Sequence, residues 1–107
     1  MKANYLPSLV LLAASVVPAS GIAAGDAAAG KTKAFTCMGC HGIPSYNNVY
    51  PTYHVPKLGG QHADYIVAAL NEYKSGQRNH ATMHAQTTTL SDQDMQDIAA
   101  FFEQGGK

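Results

Sequence analysis

Residues 37–41 read Cys37-Met38-Gly39-Cys40-His41, and the fold turns on what these five residues are for. The chain of 107 residues has two cysteines, both of them here, three positions apart with a histidine directly behind the second. A bridge between them would close a very short loop and restrain little of the unfolded chain. A thioredoxin-like redox pair belongs beside a βαβ pattern, and no strand precedes this pair. Structural zinc needs four ligands. His41, His54, His62, His80 and His84 are available to complete such a set, yet no second Cys-x-x-Cys or finger-spaced His-x-x-x-His follows. His80 and His84 do lie four apart, but on a stretch that reads as loop.

Cys-x-x-Cys-His is instead the attachment signature of a c-type haem. Two thiols at this spacing add across the two vinyl groups on one side of the porphyrin. The adjoining histidine is then held over the iron as its proximal ligand. Cys37 and Cys40 are therefore the candidate thioether anchors and His41 the candidate iron ligand.

Working outward, a helix is expected from about Ala27 to Thr36, with Asp26 placed as N-cap. Gly30 inside it costs roughly 1 kcal/mol against alanine, which makes sense if another helix crosses closely at Gly30 and Ala34, the equal alternative being a merely tolerated glycine. A second helix spans about His62 to Ser75, where Ile66, Ala69, Leu70 and Tyr73 follow the i, i+3, i+4, i+7 spacing of one buried face. Gly76 sits where a C′ glycine belongs, and Lys74 complements the helix dipole. The third helix starts at Ser91 as N-cap, with Asp92 and Asp94 in its first turn and Leu90 placed to pack on Met95. Met95, Ile98, Ala99 and Phe102 repeat the stripe, and Gly105-Gly106 ends it.

Residues 42–61 and 77–90 show no clear periodicity, although Asn48 to Val55 is locally ambiguous between strand and loop. Loops this long in a small domain usually wrap something. The expectation is an all-α fold of three main helices and two long loops around one covalently attached haem.

Residues 1–24 read as a secretory signal: Lys2, then the apolar run Leu9 to Val17, then a small-residue stretch that a peptidase would cut after about Ala23 or Ala24. The run is far short of the ~20 residues that span a bilayer, and the alternative is an uncleaved tether. Residues 25–107 form the expected domain, exported to the periplasm. Seven Lys+Arg against seven Asp+Glu argue against nucleic-acid binding. A hydrophobic fraction of 46% is too high for disorder.

Five segments in order resemble the small bacterial class I c-type cytochromes, in particular one half of the two-haem tandem cytochromes c. They are Cys37-Met38-Gly39-Cys40-His41-Gly42, Pro56-Lys57-Leu58-Gly59-Gly60-Gln61, Tyr73-Lys74-Ser75-Gly76-Gln77-Arg78, Met83, and Leu90-Ser91-Asp92-Gln93-Asp94. The resemblance implies a cytochrome c-like fold with haem c and iron as cofactor. It implies that the Pro56 carbonyl accepts a bond from the proximal histidine, and that Gly30 and Ala34 face the third helix near Phe101 and Phe102. It also implies Met83 as distal iron ligand, on an irregular loop over the haem.

His80 and His84 flank Met83, and either would give a bis-histidine site of lower potential. Tyr46, Tyr50 and Tyr53 are candidates for the pocket wall, and Lys57 and Arg78 for pairing with propionates. Each is equally explained as surface. His54 and His62 read as loop or cap residues.

With both axial positions filled, the resemblance implies a one-electron carrier between redox protein partners, a donor and an acceptor. The membrane would be touched only indirectly, through membrane-bound redox complexes. No acid–base pair, activated nucleophile or phosphate loop is visible, and no enzymatic activity is expected. An open distal position would instead suit a gas sensor or a peroxidase-like enzyme. A cytochrome subunit of a dehydrogenase complex is the remaining alternative.

Overall fold

The computed structural model describes residues 24–107; all but the last residue of the expected signal segment lies outside the described residues. In chain order the elements are α1 (Ala27–Lys33), α2 (Met38–His41), β1 (Asn47–Asn48), β2 (Tyr53–His54), α3 (Ala63–Ser75), α4 (Ala81–Thr87) and α5 (Asp92–Glu103). The three main helices are α1, α3 and α5. The fold is the expected all-α one, with short elements added inside both expected loops.

The first helix is shorter than its sequence suggests, and the expected end at Thr36 is corrected. Phe35 N–H donates to Thr32 O (3.3 Å) and Cys37 N–H to Ala34 O (2.9 Å), so the backbone tightens into i→i+3 turns after Lys33. Such turns commonly close helices, and this one re-aims the chain so that Met38–His41 begins a separate helical turn. Asp26 caps α1 as expected, accepting from the Ala28 and Ala29 amides.

In the ambiguous stretch, β1 and β2 pair antiparallel with Asn47 opposite His54 and Asn48 opposite Tyr53. Two residues a side are too few to show period-two alternation, which is why no strand could be read there.

Ala34, Ile66, Leu70, Met95, Ile98, Ala99, Phe101 and Phe102 form the core, with α5 at its centre. The α5 stripe is buried as expected, and Leu90 packs against the same cluster. On α3 the stripe divides: Ile66 and Leu70 are buried, whereas Ala69 and Tyr73 line a cleft on that helix's side. Gly76 ends α3 at φ 82°, a left-handed conformation that glycine enters without a Cβ penalty. The α3 start is capped from a distance, by the Glu103 carboxylate accepting from the Ala63 amide.

α1 packs most extensively on α5. A Cβ built on Gly30 would lie 1.9 Å from the Asp97 carbonyl oxygen and 2.9 Å from Phe101 Cβ. The glycine is therefore the crossing point, and backbone meets backbone there. Asp97, 4% exposed, locks the crossing. Its carboxylate accepts from the Asp26 amide (2.8 Å), Lys33 Nζ (2.6 Å) and Gln93 Nε2 (3.0 Å). Lys33 also reaches Asp94 (2.9 Å), and Asp94 closes a capping box with Ser91.

These bonds favour the charged carboxylates. The Asp26 amide, then Lys33 and Gln93, lower Asp97 from 3.8 to about 2. Lys33, then Ser91, lower Asp94 to about 2. A carboxylate more acidic in the fold than in the unfolded chain adds stability that is fully present above its unfolded pKa and is lost as pH falls through the folded one. Stability is therefore expected to fall as pH drops from 3.8 toward about 2. Asp97→Asn should flatten that dependence while lowering stability at neutral pH. Denaturant midpoints followed by circular dichroism across this range check it, and an unchanged slope in the variant would contradict it.

Candidate haem site

α2 is a single turn whose His41 amide bonds Cys37 O at 2.8 Å, so the pentapeptide is itself helical. Cys37 and Cys40 are unbridged thiols, both half-buried. Burial pushes the Cys37 thiol up, partly opposed by a hydrogen bond with Thr36. His41 Nδ1 lies 2.8 Å from the Pro56 carbonyl oxygen. A carbonyl only accepts, so Nδ1 carries the proton and Nε2 keeps its lone pair for a metal.

One cleft of about 330 Å³ gathers Cys37, Cys40, His41, Pro56 and Met83. Val55, Leu58, Ile66, Ala69 and Leu70 give it an apolar wall. A larger recess, about 660 Å³, opens on another side of His41 and reaches Gly105 to Lys107, but neither cysteine nor Met83 lines it. The donor set therefore selects the smaller cleft: two thiols, an imidazole with an oriented lone pair, and a soft thioether in an apolar slot. That set fits a covalently held haem.

Met83 is on α4, not on an irregular loop, and that expectation is corrected. Thr82 and Thr87 are poor helix formers, because β-branched side chains lose rotamer freedom against the preceding turn. The helix forms because its start is capped and because it packs on α3. The Met83 amide donates to His80 Nδ1 (3.3 Å), and the fully buried Thr87 hydroxyl bonds the Met83 and His84 carbonyls, each at 3.0 Å.

The two flanking histidines have structural partners of their own. His84 Nδ1 donates to the Tyr73 carbonyl at 2.8 Å, and His84 is not among the residues lining the cleft. His80 lines it, but with its Nδ1 committed to the Met83 amide and its ring edge-on to Tyr53 (4.7 Å) and Tyr73 (6.1 Å).

Tyr53 lines the cleft and its hydroxyl lies 3.4 Å from Thr82 Oγ1, joining the β2 hairpin to α4. Tyr50 is 91% exposed, and Tyr46 is not on the cleft wall. Lys57 and Arg78 both reach the cleft, but Arg78 is already paired with Glu72 (3.0 Å) and lies over the Tyr73 and Tyr65 rings. Hydrogen bonding to Tyr73 and Tyr65, then to Glu72, raises its pKa further. His54 also lines the cleft and bonds Asn47. His62 occupies the α3 N-cap position without a side-chain bond. Thr87 and the Tyr53–Thr82 contact had no signal in the sequence, since neither periodicity nor motif marks them.

An all-α frame around an apolar cleft with paired thiols and an oriented histidine defines a class I c-type cytochrome. Residues 27–105 match the family model for cytochrome c, and the chain belongs to that family. It is 45% identical over 80 residues to a cytochrome c4 of Pseudomonas aeruginosa, covering 75% of this chain but 38% of that protein. It is 44% identical over 82 residues to cytochrome c-554(548) of Halomonas halodenitrificans, covering 74% of this chain and 95% of that one. Among solved structures, a cytochrome c4 of Acidithiobacillus ferrooxidans superposes with a TM-score of 0.63 at 26% identity, over 79% of this chain and 52% of that one. The chain thus spans well under half of the first relative and nearly all of the second. Family membership brings with it a covalently attached haem c and its iron.

Proposed function

We propose that this chain is a periplasmic one-electron carrier with a single haem c, anchored by Cys37 and Cys40 and ligated by His41 and Met83. The observation that carries this reading is the gathering of both thiols, His41 and Met83 in one cleft. When bound, haem c supplies an iron that changes by one electron between ferric and ferrous states.

The chain's own residues do the rest. Cys37 and Cys40 fix the group in one orientation. The Pro56 carbonyl holds the His41 ring and raises its basicity, as hydrogen-bond partners of ligating histidines do. Met83 would hold the iron through its thioether, a ligand that favours the reduced state. The wall of Val55, Leu58, Ile66 and Leu70 excludes water, which also disfavours added charge.

With His41 and Met83 both holding the iron, the site would pass electrons rather than transform molecules. Its partners are a reducing and an oxidising protein met in brief encounters with small interfaces. The near-complete match to a relative of single-unit length supports one domain, residues 25–107, as the working unit.

The ferric holoprotein should show the weak far-red sulfur-to-iron charge-transfer band, and the ferrous form should not bind carbon monoxide at neutral pH. Ready carbon monoxide binding without that band would replace the carrier with an open-site sensor or enzyme.

A further inference from the structure

His80 is the one histidine besides His41 and His54 on the cleft wall, and the carrier role assigns it nothing. Its Nδ1 accepts from the amide of Met83 itself, three residues on, at 3.3 Å. An amide only donates, so Nδ1 must be bare and the proton must sit on Nε2. His84 shows the reverse. Its Nδ1 faces the Tyr73 carbonyl at 2.8 Å, so there Nδ1 carries the proton. The helix bearing Met83 is thus held at its start by an imidazole acceptor and near its end by an imidazole donor.

The His80 ring is itself held. Tyr53 from the hairpin lies edge-on to it at 4.7 Å, and Tyr73 from α3 at 6.1 Å. Tyr53 also reaches Thr82, the residue before Met83. Histidine is an uncommon N-cap, the preferred residues being Ser, Thr, Asp and Asn. Asn79 immediately precedes His80, yet the cap falls to the histidine. The two tyrosine rings orient the imidazole so that its Nδ1 faces the Met83 amide.

We propose that His80 is a positioning residue for the distal ligand: its bare Nδ1, held by Tyr53 and Tyr73, sets the backbone from which the Met83 thioether reaches the iron. This rests on the reading of Met83 as that ligand. His80 acts through Met83 and touches the iron at no point.

The probe is free imidazole, which binds the ferric holoprotein by displacing Met83 and erases the far-red band. His80→Phe keeps an aromatic ring between the tyrosines and removes the acceptor. His80→Asn removes the ring and keeps an acceptor suited to a cap. Imidazole should bind His80→Phe about fivefold more tightly than wild type, the size expected from losing a cap worth about 1 kcal/mol. In His80→Asn the affinity should stay within about twofold of wild type, the rescue that a ring-packing role would not give. Where His80→Phe does not fold, His80→Ala carries the same fivefold expectation.

Equal imidazole affinity in all variants, with the far-red band present in wild type, overturns the positioning role and leaves Met83 ligation standing. A ligand weakened in His80→Asn but not in His80→Phe assigns the effect to ring packing and also overturns it. A wild type without the band overturns both.

Discussion

Gly30→Ala is expected to destabilise the protein by about 2 kcal/mol or more, despite placing a better helix former in α1. The propensity gain is roughly 1 kcal/mol. Against it stands a Cβ 1.9 Å from the Asp97 carbonyl oxygen, a contact with backbone that no side-chain rotation relieves. α1 and α5 must separate, and overpacking of this kind typically costs about 1–3 kcal/mol and sometimes more. Separation also lengthens the bonds that Asp97 accepts from Asp26 and Lys33. The urea midpoint should fall by about 1 M or more, given m-values of about 1–3 kcal/mol/M. Gly39→Ala is the control: a Cβ there meets nothing within 4 Å, and stability should stay within about 0.5 kcal/mol of wild type. Equal midpoints for the two variants would refute the close crossing.

Met83→Ala is expected to abolish the far-red ferric band, open the ferrous site to carbon monoxide and lower the reduction potential. Axial ligands set haem potentials over a range of about 0.8 V, and the soft thioether is the ligand that favours the reduced state. A fall on the order of 0.1 V or more is therefore expected in equilibrium redox titration. His84→Ala should keep the band, because His84 lies off the cleft wall and is engaged by the Tyr73 carbonyl. Retention of the band in Met83→Ala, or its loss in His84→Ala, would reassign the distal ligand.

Much of this architecture is written locally. The Asp26 cap, the Ser91–Asp94 capping box and Gly76 at a left-handed C-cap each need only neighbours within a few residues. The buried stripe of α5 likewise follows from helical spacing alone. Two helical features were not legible in that way. The α4 helix is short and carries two β-branched threonines, and it is held by the His80 cap and by packing on α3. The start of α3 draws its cap from Glu103 at the far end of the chain. The Ala63–Glu103 pair is 40 residues apart, so no window of local sequence holds both partners.

The candidate site divides along the same line. The pentapeptide by itself specifies two anchors and a ligand, because their chemistry requires that spacing and nothing distant. Pro56, Met83 and the engagement of His84 by the Tyr73 carbonyl depend on separate segments arriving together, whereas the His80 cap is a local bond. The sequence by itself determined the haem chemistry and the main helices, since capping, periodicity and a covalent motif act over a few residues. Only the tertiary structure decided that Gly30 is a helix crossing, that Met83 stands on a helix, and that His80 and His84 hold that helix in opposite tautomers. Apart from the local His80 bond, those outcomes are set by which atoms meet across long loops, and residue order alone does not contain those distances.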